Sequence, residues 1–69
     1  MSRLHYENDG QEWVWWRDDS PYCYYTNKRG MGLFMQDLRT GETHQVLGTC
    51  SFSLNGLKDP KAKIRRMMK

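Results

Sequence analysis

Glu12-Trp13-Val14-Trp15-Trp16-Arg17, then Asp18-Asp19-Ser20-Pro21, then Tyr22-Cys23-Tyr24-Tyr25-Thr26, is the stretch that decides the fold. Its two outer runs are dense in residues that suit a pleated, half-buried surface. Between them Asp and Ser favour a turn, and Pro21 cannot donate to a ladder. Two short strands are therefore expected. Side chains alternate along an extended chain, so Trp13 and Trp15 point one way and Val14 and Trp16 the other. Tyr22 and Tyr24 likewise oppose Cys23 and Tyr25. These runs hold six of the chain's nine aromatic residues. One set can enter a core; the other is left to a second layer, a partner or solvent.

Working outward, Asn27-Lys28-Arg29-Gly30 predicts a turn and Gly32 to Asp37 a returning strand, together a hairpin. Arg39-Thr40-Gly41 predicts the next turn. From Thr43 to Leu54 the chain alternates, with Val46, Cys50, Phe52 and Leu54 opposite Gln45, Thr49, Ser51 and Ser53. That pattern predicts one long strand with a buried and a wet face, bent or bulged at Gly48. Asp59-Pro60 has the form of an N-cap and first helical residue. Ile64, Met67 and Met68 then make an apolar helical stripe among Lys and Arg. Residues 1–11 read as a polar arm with a turn signal at Asn8-Asp9-Gly10. The expectation is one domain over residues 1–69: an arm over 1–11, an antiparallel sheet over 12–54 and a basic amphipathic helix over 59–69. The fold class is α+β, mostly β: a curved meander of four to five strands, an SH3-like or OB-like half-barrel with a short C-terminal helix.

The net charge of +3 is unevenly placed. Residues 58–69 carry +5, whereas residues 1–57 carry −2. No apolar run approaches the ~20 residues of a membrane span, and Met1 to Tyr6 lack the apolar core of a signal peptide. A cytoplasmic location without membrane association is expected, and there Cys23 and Cys50 are expected as free thiols.

Cys23, Cys50, His5 and His44 match the ligand count of a structural zinc site, but no C-x₂₋₄-C or H-x₃₋₅-H pair accompanies them. No metal or cofactor is expected. A Cys23–His44 dyad with Asp18 or Asp19 is conceivable for nucleophilic catalysis, but no nucleophile-elbow signature supports it. The expectation is a protein that is not an enzyme.

Arg29-Gly30-Met31-Gly32-Leu33-Phe34 resembles the RNP1 motif of RNA-recognition and cold-shock domains, which sets rings on an exposed sheet face to stack on bases. Here Met31 and Leu33 stand where that motif has rings, and Phe34 falls on the opposite face. The same six residues also read as a glycine-rich turn entering a strand, and no family assignment follows from them.

Two functions are compatible with these features. In the first, Trp13, Trp15, Trp16, Tyr22, Tyr24 and Tyr25 anchor the chain on a larger protein that it modulates or inhibits. A nucleic-acid enzyme is one candidate partner, because its basic surface would meet the acidic body. Small aromatic-rich chains of this kind are common among phage and plasmid accessory proteins, a likeness of composition only. In the second, the rings stack on RNA or single-stranded DNA while Arg29, Lys58, Lys61, Lys63, Arg65, Arg66 and Lys69 hold phosphates. Glu12, Asp18 and Asp19 flank the rings and would repel phosphate, which favours the protein partner. A homodimer that covers the spare rings is also allowed. On either reading, Trp15→Ala should abolish binding and leave the fold largely intact.

Overall fold

A computed structural model of the chain describes residues 3–68. It has five strands, β1 (Leu4–Asp9), β2 (Glu12–Arg17), β3 (Tyr22–Tyr25), β4 (Leu33–Asp37) and β5 (Thr43–Leu47), and one helix, α1 (Pro60–Met67). The strands form a single open sheet in the order β1-β2-β3-β4-β5, every neighbour antiparallel. This is the mostly-β meander with a C-terminal helix that the patterning predicts.

The polar arm expected over residues 1–11 is instead largely a strand. β1 pairs with β2 along its whole length, from Leu4 opposite Arg17 to Asp9 opposite Glu12. Gly10, at φ 66°, opens the two-residue turn between them. A glycine in the first central position is what a type II′ hairpin requires. Leu4 and Tyr6 alternate with His5 and Glu7, so β1 adds two apolar side chains to the buried face of the sheet.

A second departure concerns the long strand expected over residues 43–54. β5 ends at Leu47, and the Gly48 carbonyl accepts hydrogen bonds from the amides of Ser51 (3.0 Å) and Phe52 (3.2 Å). The chain turns there and returns beneath the sheet, held by a bridge between Met31 and Ser53. Phe52 and Leu54 are buried as their pattern implied, but Val46 is 48% exposed and Cys50 is exposed.

The core is Trp15, Leu33, Phe52, Leu54 and Ile64, bordered by Leu4, Tyr6, Trp13, Tyr24 and Met68. Trp15 and Ile64 have no exposed surface. α1 closes this side. The Asp59 carboxylate accepts from the Ala62 amide at 3.2 Å and caps the helix, with Pro60 in its first turn. Ile64 and Met68, four residues apart, face inward, whereas Met67 turns outward and is 38% exposed. Arg17 Nη2 donates to the Met68 carbonyl at 3.1 Å and ties the helix end to β2.

Candidate protein-docking face

The helix and the 52–54 segment cover one side of the sheet, and strand register defines the other. On the uncovered side one cross-strand row runs His5, Trp16, Cys23, Gln36, Thr43. The next row runs Glu7, Val14, Tyr25, Phe34, Gln45. Tyr25 stacks on Phe34 with centroids 5.4 Å apart, and His5 stacks on Trp16 at 5.4 Å. His5 Nε2 also lies 2.6 Å from Asp18 Oδ1, which fixes the imidazole against the indole. Asp9 and Glu12 close the same face at the β1–β2 turn. No strand residue of this face is Lys or Arg.

The six ring positions proposed from sequence therefore divide. Trp16 and Tyr25 stand on the uncovered face. Trp15 is fully buried, and Trp13 and Tyr24 pack against it from the core side. Trp15 stacks on Tyr24 at 6.1 Å and tilts against Phe52 at 6.4 Å. A residue so placed cannot meet a partner while the fold is intact, so Trp15→Ala tests the core rather than binding. Tyr22 also lies on the core side of β3, at its outer end, where the Arg39 guanidinium sits 5.7 Å from its ring centroid. The pattern missed Phe34, Val14 and His5 as members of the open face. Their parity was legible, but only strand pairing places them beside Trp16 and Tyr25.

Arg29-Gly30-Met31-Gly32 does a structural task. The Asn27 carboxamide accepts from the amides of Arg29 (2.8 Å) and Met31 (3.0 Å). The Leu54 amide donates to the Gly30 carbonyl and the Gly32 amide to the Phe52 carbonyl, at 2.9 and 2.8 Å. The Asn55 carboxamide donates to the Arg29 carbonyl. A Cβ on Gly30 would lie 2.7 Å from both Asn55 Oδ1 and the Gln11 carbonyl oxygen, so only glycine lets these segments cross. Leu33 is core, and Phe34 faces the open side.

The cations lie elsewhere. Lys58, Lys61, Arg65 and Arg66 are exposed on or beside α1, on the far side of the sheet from Tyr25 and Phe34. Lys61 sits 5.4 Å from the Tyr6 ring centroid, and Arg65 lies 3.8 Å from Asp59. Lys63 Nζ donates to the Ser53 carbonyl at 3.2 Å and sits over Phe52. Arg29 is exposed in the loop before β4. Lys69 lies outside the described residues.

The conceivable Cys23–His44 dyad is not assembled. Cys23 is in the open-face row, while His44 pairs with Met35 on the opposite face and lies 3.7 Å from Glu42. Burial pushes the Cys23 thiol up from its ordinary value, and its Sγ lies 3.9 Å from Gln36 Oε1. Among the described residues no three His, Cys, Asp or Glu side chains are grouped to hold a metal, and no pocket is enclosed. No helix of the described residues is long and apolar enough to cross a membrane. No protein-family model, curated protein or solved structure matches this chain.

Proposed function

We propose that this chain is a non-enzymatic binding protein that docks on a larger protein through the uncovered face of its sheet and modulates it. The observation that carries this reading is the pairing of stacked rings with acidic borders on that face. Trp16, Tyr25 and Phe34 supply large, rigid contact area, the residue types that dominate interface energetics. Val14 lies opposite Tyr25 in the same row. Glu7, Asp9 and Glu12 at one end, and Asp18 at the other, select a partner that rims an apolar ridge with Lys or Arg.

The alternative, stacking on RNA or single-stranded DNA, loses its main support when the groups are separated in space. A stacking platform needs cations beside its rings to hold the backbone. Here the rings and the lysine-rich helix lie on opposite sides of one sheet, and carboxylates border the rings. One strand of nucleic acid would have to wrap an edge to touch both.

The test is capture on the immobilised protein from nuclease-treated lysate, run in parallel with three variants. Trp16→Ala and Phe34→Ala should lose a stoichiometric protein partner that the parent retains, with circular dichroism unchanged. A Lys58→Ala/Arg66→Ala double variant should keep it. The opposite pattern, or retention of nucleic acid alone before nuclease treatment, would sink the proposal.

A further inference from the structure

The two edges of the sheet are unequal. β1 carries Glu7 and Asp9, charged side chains of the kind that blunt a sheet edge. β5, Thr43-His44-Gln45-Val46-Leu47, has all five residues exposed and contains no Lys, Arg, Asp, Glu or Pro. Those are the residues with which sheet proteins commonly blunt their edges.

The backbone of β5 is set for pairing. The Asp37 amide donates to the Glu42 carbonyl at 2.9 Å, which directs the backbone of Glu42 toward β4. Antiparallel ladders alternate, and the Met35–His44 register continues that phase. His44 therefore spends its amide and carbonyl on β4, while Thr43 and Gln45 turn theirs to the free edge. The register shift opposite Leu33 and Phe34 comes only after Gln45, so this segment stays regular.

We propose that β5 pairs antiparallel with β5 of a second copy, with His44 facing His44 of that copy across a two-fold axis. Thr43 then opposes Gln45 of the second copy, and Gln45 opposes its Thr43. All four backbone groups that each strand leaves on the regular edge gain partners, and no like charges meet. The two five-stranded sheets become one continuous sheet, and the paired copies carry both open faces on the same side. The edge is a different surface from the proposed docking face, so either can stand without the other. Five residues a side bury well under the roughly 1,200 Å² of a standard interface, so the dimer is weak.

Sedimentation equilibrium from micromolar to low millimolar concentration reads the association. A reversible monomer–dimer equilibrium is expected, weakened several-fold by His44→Lys, which sets two ammonium groups directly opposite each other. The register is read by cross-linking with Cys23 and Cys50 replaced by serine. His44→Cys should oxidise to a disulfide dimer, because facing residues of a non-hydrogen-bonded pair have Cα atoms about 4.5 Å apart. Thr43→Cys should not, since it opposes Gln45. In the dimer the amides of Thr43 and Gln45 should exchange slowly. A chain that stays monomeric over the whole range overturns the proposal. So does a dimer indifferent to His44→Lys but lost on Phe34→Ala, which would have formed through the open face.

Discussion

Tyr25 and Phe34 face each other across β3 and β4 and stack with 17° between their planes, on the side of the sheet that the helix leaves bare. One residue back along β3, Tyr24 stacks on Trp15 with 15° between planes, on the side that the helix covers. The same cross-strand device thus serves as surface on one face and as core on the other.

The difference is measurable in stability. Phe34→Ala forfeits mainly a ring pair at the surface and should cost about 1 kcal/mol. Trp15→Ala opens a cavity against Tyr24, Phe52 and Ile64 and should cost about 3–5 kcal/mol. A domain this small has only a few kcal/mol to lose. Urea titration followed by circular dichroism should therefore show a cooperative transition for Phe34→Ala and none for Trp15→Ala. A folded Trp15→Ala would contradict the core described above.

The Tyr6 hydroxyl and the Trp15 indole N–H are buried and find no hydrogen-bond partner among the described residues. An unpaired buried polar group costs roughly 1–3 kcal/mol. Tyr6→Phe removes one such group and keeps the ring beneath Lys61. The variant should be at least as stable as the parent, with an equal or higher midpoint in thermal unfolding; a loss of more than about 1 kcal/mol would mean that the hydroxyl is paired.

Gly30 and Gly41 share a left-handed backbone, with φ of 75° and 81°, but only Gly30 is crowded. Alanine at Gly41 pays for the backbone strain alone, about 1 kcal/mol. Alanine at Gly30 adds a clash with Asn55 and the Gln11 carbonyl. Gly30→Ala should be clearly the more destabilising of the two, and equal losses would show that the crossing relaxes freely.

Arg39 donates to the Asp37 carboxylate from Nε at 3.2 Å and from Nη2 at 3.1 Å, and its amide donates at 2.9 Å. The side-chain bond chiefly, then the backbone one, holds Asp37 below the ordinary carboxylate range. A carboxyl depressed in the folded state stabilises the fold above its unfolded value, and that contribution is lost as pH falls through the folded value. In Arg39→Ala the Asp37 resonance should titrate nearer the ordinary range, and stability should depend less on pH in mildly acid solution. An unmoved resonance would contradict this cause.

What could be read from the sequence was local. β2, β3 and the Asp59-Pro60 helix start declare themselves through runs, breakers and a cap that act within a few residues. β1 does not, because Leu4 and Tyr6 are its main apolar marks and gain meaning only opposite Arg17 and Trp15. The end of β5 depends on a turn at Gly48, where the alternation toward Phe52 and Leu54 runs on regardless. Least legible was which ring set is core. Trp15 and Trp16 are equally apolar neighbours, and the choice is made by Ile64 and Phe52, which arrive from the far end of the chain.

That late arrival has a consequence for how the chain comes to its shape. Each strand finds its partner in the segment just before it, so the meander can zip up in the order in which it is made. Trp15 meets Tyr24 and Phe52 from the intervening chain, but its cluster is complete only when Ile64, about fifty positions later, joins it, and the Arg17–Met68 hydrogen bond fastens with it. Until α1 is made, the nascent sheet therefore lacks the cover that Ile64 brings, and cooperative folding of residues 3–68 waits for the helix.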